Sequence, residues 1–187
     1  MATNLTGIPR ETAKTAGGII SVYITELSNV TGATVADGVG GFASDAGVWK
    51  QFVLGKESGS NFISTQTGNV ANGTEQYEQV LTTIFKRNQV SKRNELKILG
   101  KYELVCVIND NDIPTSGGNV GNLYIIGLQV DNCVGGCDVT TGTMNTGAQF
   151  ADANGMTLTI RALETMPALG ISEADYALIV AGDAVTA

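Results

Sequence analysis

Residues 76–110 read QYEQVLTTIFKRNQVSKRNELKILGKYELVCVIND and, after a Gly-rich interruption, residues 122–127 read NLYIIG. β-Branched and aromatic residues crowd 77–85, 102–108 and 123–126, which predicts three strands. Between the first two, residues 88–101 have no β-branched run and are rich in Lys, Arg, Glu and Leu, all good helix formers. The reading there is one short helix over about 88–100, with Asn88 or Ser91 as N-cap and Gly100 at its stop. Strand 102–108 is apolar on both alternating sets, Leu104, Cys106 and Ile108 against Val105 and Val107. That pattern belongs to a strand covered on both faces, so Cys106 reads as a small core residue.

Outward from this centre the same logic places further strands. Residues 17–27 alternate Ile20, Val22 and Ile24 with Ser21, Tyr23 and Thr25, which predicts a half-buried strand. Residues 156–163 alternate Met156, Leu158, Ile160 and Ala162 with Thr157, Thr159 and Arg161, so one face is core and the other is wet or meets a partner. The run VWKQFVL at 48–54 is expected to send Trp49, Phe52 and Leu54 to one core, with Trp49 as a packing anchor rather than a ligand platform. A short strand at 61–65 precedes Asn72-Gly73, a hairpin signal. Pro167 ends the strand before it, and the segment 176–180 reads as a final strand, with a helix from Ser172 as the alternative. Two small-residue stretches, 28–47 and 139–155, read as long loops, either ordered against a neighbouring molecule or plain surface excursions. Residues 1–16 read as a polar arm.

Composition narrows the class. A chain of 187 residues with 24 Gly, three Pro and few charges is most economically one β-dominated domain over 17–187. The expected fold is an antiparallel β-sandwich or barrel with one flanking helix and long extended loops. No apolar run near residue 1 is long enough for a signal peptide or a membrane span, so a cytoplasmic protein without a membrane partner is expected. The cysteines Cys106, Cys133 and Cys137 are an odd set and read as reduced; the Cys133–Cys137 spacing lacks the further ligands a zinc site needs. The chain has no histidine, which removes the commonest general base, zinc ligand and nucleophile activator together. An enzyme is therefore not expected, and no catalytic residue, metal or cofactor is nominated. The turn NDNDIPTSGGNVG at 109–121 has the Asp and Asn alternation of a calcium loop but lacks its Gly and terminal Glu at the proper spacing. Net charge is −7, yet Lys86, Arg87, Lys92, Arg93, Lys97 and Lys101 fall within one short span. Such segregation reads as a basic patch for nucleic acid or for an acidic neighbouring copy, or as a solvated helix face. Missing aromatics within the patch weigh against nucleic acid.

Taken in order, YEQ at 77–79, KRNE at 92–95, NDND at 109–112, YIIG at 124–127, TTGTMNTG at 140–147 and NGMTLTIRALE at 154–164 form a series. The series resembles the tail-tube proteins of tailed bacteriophages, over about residues 76–168. The resemblance implies a β-sandwich with one flanking helix that closes into rings, hexameric in that family. Those rings stack into a hollow cylinder through which the genome passes. It implies a virion protein assembled in the host cytoplasm, whose partners are copies of itself and other virion proteins. DNA would slide through without sequence-specific binding, past a lumen that carboxylates keep from sticking to phosphate. Open strand edges and small-residue segments would be completed by neighbours. The subunit-interface candidates are Lys86, Arg87, Lys92, Arg93, Lys97, Trp49 and Arg161, the helix cations pairing with acidic groups of another subunit. The alternatives are another virion ring component, connector or baseplate, and a β-sandwich module for sugar or calcium, which the Asp-rich turn and Trp49 would serve.

Overall fold

The computed structural model describes residues 17–36, 38–44, 48–55, 58–69, 71, 73–111, 122–128, 135–149, 152 and 154–183. In chain order the elements are β1 (Ile19–Glu26), β2 (Val30–Ala36), β3 (Val39–Ser44), β4 (Lys50–Val53), β5 (Asn61–Asn69), β6 (Thr74–Lys86) and α1 (Val90–Leu99). There follow β7 (Leu104–Asp110), β8 (Leu123–Ile126), β9 (Asp138–Asn145), β10 (Gly155–Glu164), β11 (Leu169–Ile171) and α2 (Glu173–Asp183). The strands make a seven-stranded sheet, β2-β3-β11-β8-β7-β1-β4, and a four-stranded sheet, β5-β6-β10-β9. Every pairing is antiparallel except β11 with β3. The protein is thus a β-sandwich with a helix at its flank.

Apolar alternation sets the layers. Between the sheets, Val22 and Ile24 of β1 and Leu104, Cys106 and Ile108 of β7 meet Leu81 of β6 and Leu158, Ile160 and Ala162 of β10. On the opposite side of the large sheet, Tyr23, Val105, Val107 and Ile125 form a second core with Trp49, Leu169, Ile171 and Ile179 of α2. Strand β7 therefore belongs to both cores, and Leu104 to Asn109 are all buried, as its doubly apolar pattern predicts. Strand β10 follows the predicted alternation, Met156, Leu158, Ile160 and Ala162 being buried. Helix α1 stops at Gly100 as expected, but its N-cap is Gln89, which makes no side-chain capping bond, rather than Asn88 or Ser91.

Several expectations are corrected. Strand β1 is interior rather than half-buried, because it pairs with β7 on one side and β4 on the other and has a core on each face. A register shift between Ile19 and Ser21 leaves Ile20 exposed. Residues 28–47 are chiefly not a loop: they carry the hairpin β2–β3. Gly40 is a packing residue there, since a Cβ on it would stand 3.2 Å from Ile125 and 3.3 Å from Leu128, whereas Gly32 and Gly38 have open space and left-handed φ of 61° and 78°. The 48–54 run is split between cores, Trp49 going to one and Phe52 and Leu54 to the other. Strand β5 is nine residues long rather than five. The second supposed loop holds β9, whose β-branched threonines support a strand even with both faces polar. The C-terminal segment is helix α2, not a strand. Ser172 Oγ accepts the Asp175 N–H at 3.1 Å and donates to the Asp175 carboxylate at 2.7 Å, satisfying an orphan donor of the first turn. The expected arm at 1–16, Cys133 and residues 112–121 of the Asp-rich turn lie outside the described residues.

Candidate functional site

The four-stranded sheet has properties that the rest of the fold does not explain. Its inward side chains fill the inter-sheet core, whereas its outward side chains belong to neither core. Register sets them in rows across the sheet: Thr141, Thr159, Thr82 and Asn61 in one, Asp138, Arg161, Val80 and Ile63 in the next. Arg161, 42% exposed, reaches the Glu78 carboxylate at 2.5 Å on this face. The face is thus a broad Thr-rich surface with apolar residues, Ile63 and Leu163, left in solvent at 52% and 49% exposure.

Among the described residues both margins of this sheet are open. Strand β5 pairs only with β6, and β9 only with β10 along its length. A strand with one unpaired side presents a row of N–H and C=O groups to any other strand. Strands β5 and β9 run in opposite directions, so a strand laid against either margin from a sheet of the same orientation would pair as an antiparallel one. The turn end of β5–β6 is exposed on both strands, from Ser64 to Asn69 and from Thr74 to Gln76. There Gln66 donates to Glu75, and Tyr77 donates to the same carboxylate at 2.8 Å, which raises the Tyr77 pKa above its ordinary value.

Beside β9 lies α1. Asn88 Nδ2 donates to the Asn145 carbonyl at the far end of β9, and Leu96 and Leu99 pack on the inter-sheet core with Val139 of β9 and Phe52 of β4. The helix closes that flank of the sandwich and turns Arg93 and Lys97 to solvent. Lys86 and Arg87 are exposed where β6 ends, Arg87 with a left-handed φ of 69°. Lys92 folds back, its Nζ donating to the Lys86 carbonyl at 2.8 Å, so it closes the strand end instead of reaching outward. Among the described residues Arg161–Glu78 is the one ion pair, so none of the helix cations has a carboxylate partner there. The structure thus brings Lys86, Arg87, Lys92, Arg93 and Lys97 together at the β9 flank and leaves Arg161 apart on the outer sheet face. Trp49 is corrected as a surface candidate: it is 1% exposed, its ring is 5.6 Å from Phe42 and its Nε1 donates to Ser44 Oγ at 3.0 Å. As read from its apolar neighbours, it is a packing anchor.

Sequence reading missed the two open margins, hidden in segments taken as a short strand and a loop. The available signal was the Thr-rich period of VTTGTMN. Between the sheets lie a half-buried carboxyl, Glu164, and two buried thiols, Cys106 and Cys137. The Glu164 carboxyl accepts the Gly127 N–H at 2.5 Å and the Gln79 amide at 2.9 Å, and burial raises its pKa despite both bonds. Burial, and then the adjacent Cys106 thiol, push the Cys137 pKa well up, which keeps that thiol protonated and inert. Among the described residues no group of three or more His, Cys, Asp or Glu side chains comes together to hold a metal. No helix among them is long and apolar enough to cross a membrane. Comparison of the chain with protein-family models, with curated proteins and with solved structures found no match.

Proposed function

We propose that this chain is a structural subunit that joins copies of itself edge to edge into rings, and that those rings stack as the tail tube of a tailed bacteriophage. The observation that carries the reading is a four-stranded sheet with two complementary open margins and one polar face outside either core. Pairing β5 of each copy with β9 of the next extends one continuous sheet. Closure of such a head-to-tail contact yields a ring rather than a filament when the rotation per copy divides a full turn. The Thr-rich face then lines one side of the wall, and its hydroxyls give a wet, weakly charged surface along which a polyanion moves without being held. The tail-tube assignment itself rests on the motif series over residues 76–168. Purified protein is expected to sediment as larger species with rising concentration and to show rings or tubes by electron microscopy. A particle that stays monomeric at every concentration and salt tested removes the proposal.

A further inference from the structure

The two flanks of the sandwich differ. At the β9 flank α1 covers the gap between the sheets, while at the β5 flank the described residues leave a groove of about 530 Å³. Ile19, Phe62, Ile108, Tyr124 and Pro167 give the groove an apolar lining, with Asp110 at its wall. Phe62 and Tyr124 stack across it with ring centroids 6.0 Å apart. Ile19 and Ile108 are buried at its floor and Phe62 and Tyr124 are half-buried at its walls, so a second apolar surface laid on the groove would finish burying the two rings.

Helix α1 has an unused face. Leu96 and Leu99 point to the core, whereas Val90 and Ile98 are 63% and 47% exposed on the opposite stripe, with Arg93, Asn94 and Lys97 among them. We propose that the groove at β5 receives this stripe of α1 from a second copy. The inference rests on the edge-to-edge reading above and names the contact that accompanies it. Once β9 of one copy lies beside β5 of the next, the element layered next to that β9 is α1, and the gap layered next to that β5 is the groove.

Their levels along the strands agree. Asn61 of β5, at the groove, lies in register through Thr82 and Thr159 with Thr141 in the middle of β9. The helix runs beside β9 from Asn145, bonded to Asn88, to the start of β9, where Gly136 abuts Glu103. An unstaggered margin pairing therefore sets Ile98 and Val90 over Phe62 and Tyr124, with Arg93 and Lys97 on the rim near Asp110. Apolar centre and charged rim are the composition of a specific contact.

Cysteine cross-linking tests this. In a Cys133→Ser background, Ser64→Cys is placed at the groove and Ile98→Cys on the helix. Within one chain the pair spans the sheet, three strand spacings or about 14 Å, beyond the roughly 7 Å a disulfide tolerates. Mild oxidation of the double variant is expected to give a ladder of covalent dimers, trimers and higher species, and mixed single variants only heterodimers. Ile98→Asp is expected to keep its melting temperature and to need roughly tenfold more protein to assemble. Rings that form without the cross-link and tolerate Ile98→Asp overturn the groove contact and leave the ring reading standing. Protein that never assembles overturns both. Ser64→Cys cross-linking to itself puts groove against groove and overturns the helix as occupant. A DNA duplex bound through Arg93 and Lys97 in competition with the cross-link assigns the stripe to nucleic acid instead.

Discussion

At the scale of single residues, close approach decides more than exposure. Gly127 has φ 79°, and a Cβ there would stand 2.5 Å from Cys137 Sγ and 2.6 Å from the Leu104 carbonyl, where backbone has no room to give. Gly127→Ala is expected to cost more than about 3 kcal/mol by urea unfolding. Gly68→Ala, where nothing lies within 4 Å, serves as the control and should be neutral to slightly stabilising. Equal effects would show that crowding at the end of β8 does not matter. Glu164 sets a pH dependence. Its carboxyl holds a proton more tightly in the fold than in the unfolded chain, where the ordinary value is 4.5. The stability this gives is complete below that value and is lost as pH rises through the raised, folded one. Between pH 4.5 and 7 the melting temperature should therefore carry a falling component that Glu164→Gln abolishes. An unchanged slope in the variant would assign that component to another group.

At the scale of elements, legibility followed burial. Strands β7 and β10 were readable because core contact imposes a period on them, and α1 because its composition excludes a strand. The margins were not: β9 is exposed on nearly every residue, so no apolar alternation marks it. Hairpin β2–β3 was masked by its Gly and Ala content, Gly40 being the one that fits beneath Ile125 and Leu128. Of the surface candidates, five cations were found together as their sequence proximity indicated. Trp49 went inward because one large ring fills the second core best. The α2 segment was misread because Ile179 and Val180 outweighed Ser172, yet the cap decides the element. Ser172→Ala is expected to cost about 1 kcal/mol and to lower helical circular dichroism. A variant as stable as the parent would mean that Ile179 and Tyr176 hold α2 alone.

At the scale of the whole molecule, both sheets end among the described residues in strands paired on one side only, β2 and β4 in the larger and β5 and β9 in the smaller; the smaller sheet is the one whose outward face also belongs to neither core. Hydrogen exchange gives this a measurement. In dilute protein the amides of β5 and β9 that face away from β6 and β10 should exchange quickly, and those of β7 slowly. In assembled protein the β5 and β9 amides should become protected. Equal protection of the margins before and after assembly would mean that copies meet elsewhere. The parallel pairing of β3 with β11 has a temporal side. Hairpin β2–β3 is held in its sheet only through β11, some 125 residues later in the chain. At about 5–20 residues per second that interval lasts roughly 6 to 25 seconds on the ribosome. During it the hairpin has only side-chain packing, such as Phe42 on Trp49, and no strand partner outside itself, and its Gly-, Ala- and Thr-rich composition makes it a poor seed for misassociation. The large sheet therefore locks late in synthesis, only after nearly all of the described chain has been made.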